Sequence, residues 1–154
     1  MYTDADGNKH YYTDQTDNYL QKNYQLLLNH SFSTAWNLNV ALHYTKGDGY
    51  YEEYKPGSSL VEYGLKPFNP DGTETNESDL VRQKKMDNKF GGGVFSLNYT
   101  GNRLTASLGG GLNQYRGNNF GKVTWVKNYI GNLSPEHEYY RNKSKKTDGN
   151  IYLK

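Results

Sequence analysis

Charge is excluded from four segments of this 154-residue chain, 24–32, 36–44, 90–99 and 104–115. Together they hold 40 residues, in which an even spread of the 18 Lys and Arg and the 16 Asp and Glu would place roughly nine charges. The four Pro, at positions 56, 67, 70 and 135, stay outside them as well. Inside them the side-chain character repeats every second residue. From Trp36 the even positions read Trp36, Leu38, Val40, Leu42 and Tyr44, and the odd ones Asn37, Asn39, Ala41 and His43. Successive side chains of a strand point to opposite faces, so this is a strand with one apolar and one polar face.

The other three segments repeat the pattern. Tyr24, Leu26, Leu28 and Phe32 share one side, interrupted by His30; Phe95, Leu97 and Tyr99 share another with Gly93; Leu104, Ala106, Leu108 and Leu112 share the fourth. The intervening positions are mostly Asn, Gln, Ser, Thr and Gly. None shows the i, i+3, i+4 spacing of a helix. The expectation is an all-β, antiparallel, up-and-down arrangement with strands near 22–33, 35–46, 88–100, 103–116 and 147–154.

Alternation alone does not separate a soluble sheet from a membrane barrel. Three features favour lipid. Aromatics bracket aliphatic centres, Trp36 and Tyr44 in one segment, Tyr24 and Phe32 in another, as in interfacial girdles. A nine-residue strand is about 27 to 30 Å long and, tilted by about 40°, covers roughly 20 to 23 Å, close to the apolar band of an outer-membrane barrel. Connections alternate between tight turns, at 33–35 and 100–103, and long charged stretches, so the expected external loops are 1–21, 47–87 and 117–146. Finally, the polar face lacks the bulky residues needed to fill a small barrel, which suits a wide lumen holding water or a plug.

Composition removes other classes. Cys is absent, which excludes disulfide scaffolds and thiolate metal sites, and a net charge of +2 gives no electrostatic footprint for nucleic acid. No run of 18 apolar residues exists to form a spanning helix, and no secretory leader is expected.

The segments Gln15-Thr16-Asp17-Asn18-Tyr19, Ala41-Leu42-His43-Tyr44-Thr45-Lys46-Gly47-Asp48-Gly49-Tyr50-Tyr51-Glu52-Glu53-Tyr54-Lys55, Ser78-Asp79-Leu80-Val81-Arg82-Gln83-Lys84, Leu108-Gly109-Gly110-Gly111-Leu112-Asn113 and His137-Glu138-Tyr139-Tyr140-Arg141-Asn142 carry a resemblance. Over 7–154 the chain resembles the barrel domain of TonB-dependent outer-membrane receptors of the Bacteroidetes type. The resemblance implies about five strands of a 22-stranded barrel. It also implies an upstream plug and a TonB box that these residues do not include, and energised import of a scarce ligand such as an iron chelate, cobalamin or glycan. The implied location is the outer membrane of a Gram-negative cell. The implied partners are outer-membrane lipid, the remaining barrel and plug, the TonB complex and a small-molecule or glycan ligand. Two other readings stay open, a soluble antiparallel β module for binding or adhesion and a passive porin.

Candidate ligand-binding residues fall beyond the strand ends: Tyr50, Tyr51, Glu52, Glu53, Tyr54, Arg82, Tyr139 and Tyr140. Tyr supplies flat amphipathic contact area, and Glu accepts hydrogen bonds from sugars or polar chelates. The competing reading of Tyr50 to Tyr54 is a hairpin extended beyond the membrane, with aromatics packing across strands. Neither His30, His43, His10 nor His137 has ligands at useful spacing, so no metal and no cofactor is expected. The calcium-like runs at 4–8 and 69–72 lack the terminal Glu and read as Asx-type turns. The Gly runs at 91–93 and 109–111 lack the Lys-Ser/Thr and helix of a phosphate loop and read as sites of bending and aromatic overlay. No nucleophile-base pair or carboxylate pair supports catalysis.

Overall fold

The computed structural model describes residues 2–3, 6–11, 15–65, 71–127 and 137–154. Two short strands, β1 (Tyr2–Thr3) and β2 (Lys9–His10), pair antiparallel. Five long strands follow: β3 (Asp17–Ser31), β4 (Trp36–Ser59), β5 (Glu77–Thr100), β6 (Thr105–Val126) and β7 (Glu138–Leu153). They form one antiparallel five-stranded sheet in chain order, β3-β4-β5-β6-β7, which does not close on itself. There is no α-helix among the described residues, only a 3-10 turn at Leu60–Tyr63, and no helix is long and apolar enough to cross a membrane.

The two short connections are tight turns, as their sequences imply. At the first, Phe32 N donates to Trp36 O at 3.0 Å and the Ser33 hydroxyl accepts from the amides of Ala35 and Trp36 at 3.2 Å each. At the second, Gly101 N donates to Leu104 O at 2.8 Å.

The long connections correct the sequence expectation. Most of 47–87 and of 117–146 is strand, since β4 runs to Ser59, β5 begins at Glu77, β6 runs to Val126 and β7 begins at Glu138. Charge marked these stretches as loop, but charge is compatible with a ladder when opposite signs meet across strands. Glu53 faces Arg82 and Asp79 faces Lys127 in this way. Similarly, 17–21 belong to β3 and not to the expected loop. Residues 66–70 and 128–136, including Pro67, Pro70 and Pro135, lie outside the described residues. In the calcium-like run at 69–72, Asp71 Oδ1 accepts from the amide and hydroxyl of Thr73 at 2.9 and 2.7 Å, an Asx-type turn.

The chain divides into two compact units, the first of 1–20, 48–86 and 118–142, the second of 21–47, 87–117 and 143–154. The first holds the apolar core: Leu60, Tyr63, Leu65, Leu80 and Val123, with Val126 and Tyr139 packed against it. The 3-10 turn delivers Leu60 and Tyr63, and Gly64 ends it at φ +66, donating to Val61 O at 3.0 Å. That left-handed conformation is cheap only without a Cβ. In the second unit every buried described residue is a glycine: Gly47, Gly109, Gly110 and Gly117.

Candidate functional site

Strand parity and hydrogen-bond register sort the second unit into two chemically opposite faces. The Phe32 to Trp36 bond sets Leu28 across from Val40 and Tyr24 across from Tyr44, whose rings lie 6.3 Å apart. Thr100 N donates to Ala35 O at 2.8 Å, which sets Trp36 across from Tyr99 with ring centroids at 4.9 Å. Continuing through the Gly101 turn, the same face collects Phe95, Leu97, Leu104, Ala106, Leu108 and Leu112, and from β7 Ile151 and Leu153. All sixteen positions assigned to an outward apolar face therefore share one side of the sheet, together with His30. They are not packed away: Leu28 is 54% exposed, Leu112 64% and Ile151 75%.

The opposite face is a ladder of amides and hydroxyls. The Asn29 amide donates to Asn39 Oδ1, Asn37 donates to Ser31 Oγ at 3.2 Å, and Asn39 donates to Asn37 Oδ1 at 2.8 Å and to Ser96 Oγ at 3.3 Å. The line continues where Asn98 donates to Ser96 at 3.3 Å and the Ser107 hydroxyl donates to Asn98 at 2.6 Å. His43 bonds Asn113 at 2.9 Å, and Thr45 donates to Asn23 at 2.8 Å. This side lines a groove of about 580 Å³ that includes Asn29, Asn39, Ser96, Asn150 and Tyr152. A Cβ on Gly109 would overlap the Tyr152 ring, and one on Gly92 would overlap Leu112 O. The Gly runs thus admit an aromatic overlay and a close backbone, as their composition suggested.

The residues assigned to ligand capture all lie in the first unit, on strands. There they are largely one another's partners. Arg82 Nε donates to Glu53 Oε1 at 2.6 Å and its Nη1 to the Tyr63 hydroxyl at 3.0 Å, while Lys55 reaches Glu53 Oε2 at 3.3 Å. Burial pushes the Glu53 carboxyl up, but the hydrogen bonds and charges of Arg82 and Lys55 outweigh it and hold the pKa below the usual range. Gln83 donates to Glu52 Oε2 at 2.7 Å. Lys84 lies 5.7 Å from the Tyr51 ring centre and Lys85 lies 5.1 Å from that of Tyr50. Such cation-aromatic contacts cross-brace β4 and β5.

Tyr54 donates to Asp79 Oδ2 at 2.6 Å, the Gly57 amide donates to Asp79 Oδ1 at 2.9 Å, and Lys127 lies 3.5 Å from the same carboxylate. Burial raises the Asp79 pKa, and these partners more than reverse it. Tyr139 stacks between Tyr63, at 4.7 Å, and Tyr140, at 4.9 Å. Its hydroxyl is buried without a hydrogen-bond partner among the described residues, and burial carries its pKa to about 12. His137 bonds Tyr63 O at 2.6 Å. Nothing local in the sequence marked Tyr63, Asp79 or His137, because the partners of their side chains lie at least 19 positions away in the chain.

A groove of about 320 Å³ lies beside Tyr19, Tyr50 and Tyr51, floored by Gly49 and edged by Asp17, Asn18 and Met86. A Cβ on Gly49 would overlap Asn18 O, so glycine keeps the groove floor in place. Among the described residues no three His, Asp or Glu side chains converge on a common point. The chain matches no protein-family model, and no curated protein or solved structure matches it either.

Proposed function

We propose that the chain supplies five adjacent lipid-facing strands and their external hairpins to the barrel of a TonB-dependent outer-membrane receptor of the Bacteroidetes type. Such a receptor imports a scarce ligand, an iron chelate, cobalamin or glycan. The observation that carries the reading is the second unit, where most apolar side chains stand unburied on one face, Leu27, Phe90 and Val94 being exposed on the other, while only glycine is buried among the described residues. A sheet folding in water buries its apolar stripe against a second layer, and contiguous exposed apolar surface of this extent marks a membrane or partner surface. Lipid is a partner that leaves such a face unpacked by protein. The opposite face is rich in Asn, Ser and Thr hydrogen-bonded to one another and carries charge only along β7 and at the residue after it, at Lys146, Asp148 and Lys154, a polar character that suits a barrel interior.

The open sheet supports the same reading. β3 and β7 each have one unpaired edge, and unsatisfied backbone groups are not tolerated in hydrocarbon, so further strands complete the ladder. The first unit, with its own small core and ion-paired hairpins, then serves as the water-exposed region where ligand first meets the receptor. Tyr19, Tyr50 and Tyr51 beside their groove are its contact surface. The role is binding and passage, not catalysis.

Cell fractionation tests this. An antiserum raised against the chain is expected to stain the sarkosyl-insoluble outer-membrane fraction, in a band well above the mass of 154 residues. Recovery from the soluble periplasm would replace the reading with that of a soluble binding module. An outer-membrane band whose ligand uptake persists without a proton gradient would replace it with that of a passive porin.

A further inference from the structure

We propose that Lys22, Lys46, Lys89, Arg116 and Lys145 form a single row that binds the anionic phosphates of membrane lipid headgroups. The inference rests on the membrane reading above and adds to it a second, charge-based contact at one rim of the apolar face.

The row follows from the register. Thr45 bonding Asn23, together with the Phe32 to Trp36 turn, sets Lys22 directly across from Lys46. The Thr100 to Ala35 bond, with Gly91 lying against Tyr44, sets Lys46 across from Lys89. The Gly101 to Leu104 turn, with Gly111 lying against Val94, sets Lys89 across from Arg116. Ser107 and Lys154 exchange both backbone hydrogen bonds at 2.9 Å, and Gly117 lies against Ser144, which sets Arg116 across from Lys145. Each of the five strands thus contributes one cation, and all five are exposed. By parity all lie on the apolar face, Lys22 two positions beyond Tyr24 and Lys46 two beyond Tyr44.

With only 18 Lys and Arg in 154 residues, an even scatter does not fill five consecutive places in one line. Like charges directly opposite each other on a sheet are destabilising, so this row works against the fold in isolation. No member is in an ion pair among the described residues; Arg116 donates only to Gln114 Oε1, at 2.7 Å. Asp48 and Asp87 stand one step farther along the same face, so the row's charge is not cancelled within its own line. At roughly 4.8 Å between strands the row spans about 19 Å, beside an apolar belt and not at its centre. The opposite end of the belt carries Phe32, Trp36, Tyr99 and Leu104, and its turns hold one charge, Arg103. A line of unneutralised cations beside an interfacial aromatic rim fits a plane of anionic headgroups.

The test uses the full chain with Trp125→Phe, which leaves Trp36 as its one tryptophan. It is added to vesicles of brominated phosphatidylcholine, with and without lipid A. Quenching of Trp36 in both vesicle types is expected, with tighter partitioning where lipid A is present and loss of that preference at high salt. Changing all five cations of the row to Gln is expected to remove at least tenfold of the lipid A preference while leaving partitioning into pure phosphatidylcholine unchanged. A control changing Lys9, Lys84, Lys85, Arg103 and Lys122 to Gln removes the same charge and is expected to keep the preference. Equal loss in row and control variants overturns the proposal, as does an unmodified chain that is quenched in both vesicles without preferring lipid A. The latter result leaves the membrane reading standing. No quenching in either vesicle also overturns the row proposal, while the membrane reading is then decided by the cell fractionation, because open sheet edges keep an isolated five-stranded piece out of hydrocarbon. Should the row variant not fold, absence of salt dependence in the unmodified chain still overturns it.

Discussion

Val40→Arg offers the most direct test of which face meets lipid. Val40 sits midway between Trp36 and Tyr44 on β4, opposite Leu28 on β3 and, by the Thr100 to Ala35 register, opposite Phe95 on β5. If the aromatics mark the two interfaces, Val40 is at the bilayer midplane, where an outward Arg costs about 2 to 4 kcal/mol. Phe32→Arg places the same charge on the same face at the belt's end, where the cost falls to about 0 to 1 kcal/mol. A sheet exposed to water predicts something else, because a surface Val to Arg change there lies within about 0.5 kcal/mol of neutral. The assay is an equilibrium guanidinium titration, in zwitterionic vesicles, of the complete barrel to which these strands belong, followed by far-UV circular dichroism. A midpoint loss for Val40→Arg several times that for Phe32→Arg is expected. Equal losses, or no loss at either position, would refute the lipid-facing assignment.

Other consequences concern the first unit and the glycine run of β5 in the second. Arg82→Met leaves Glu53 with Lys55 alone, and loss of a charge-assisted bond in this half-buried setting is expected to cost about 1 to 3 kcal/mol, read from the denaturation midpoint. The Glu53 and Asp79 carboxyls both have lowered folded-state pKa values, so the stability they add is complete above the ordinary carboxylate range and is lost as pH falls through their depressed values. Amide protection factors at β4 and β5 around these residues, corrected for the intrinsic exchange rate at each pH, should fall on acidification below that range; the same pH dependence of protection in Arg82→Met as in the parent would contradict this. Tyr139 should ionise near pH 12 in an ultraviolet titration, a step absent from Tyr139→Phe, and that substitution should be neutral or stabilising because it removes a buried hydroxyl without a partner among the described residues. Gly92→Ala drives a methyl into Leu112 O and is expected to cost about 1 to 3 kcal/mol, with a thermal melt as readout.

Much of the second unit was legible from residue order. Parity alone put Leu26, Val40, Phe95 and Leu112 each on the apolar side of its own strand, and Ser33 and Gly101 announced their turns. The first unit was not legible in the same way. Tyr50 to Tyr54 and Arg82 were marked for a ligand because aromatic and charged residues in a presumed loop invite that reading. Pairing across β4 and β5 gave Glu53 to Arg82 and Glu52 to Gln83 instead, and left the groove beside Tyr19 as the open contact surface. The reach of the strands was missed for a related reason, since charge density is a cue to solvent exposure and exposed hairpins satisfy it as well as loops do.

Residue order by itself determined the faces, because a period of two assigns each side chain to one side of its strand whatever that strand pairs with. It also determined the turns, through the small and polar residues between apolar runs. Only the tertiary structure decided register. Which residue of one strand lies opposite which residue of the next depends on the summed length of turn and strand, and a slip by one would reverse every face. Register turned five basic residues at positions 22, 46, 89, 116 and 145 into one line, and it turned the acidic and basic residues of the presumed loops into pairs.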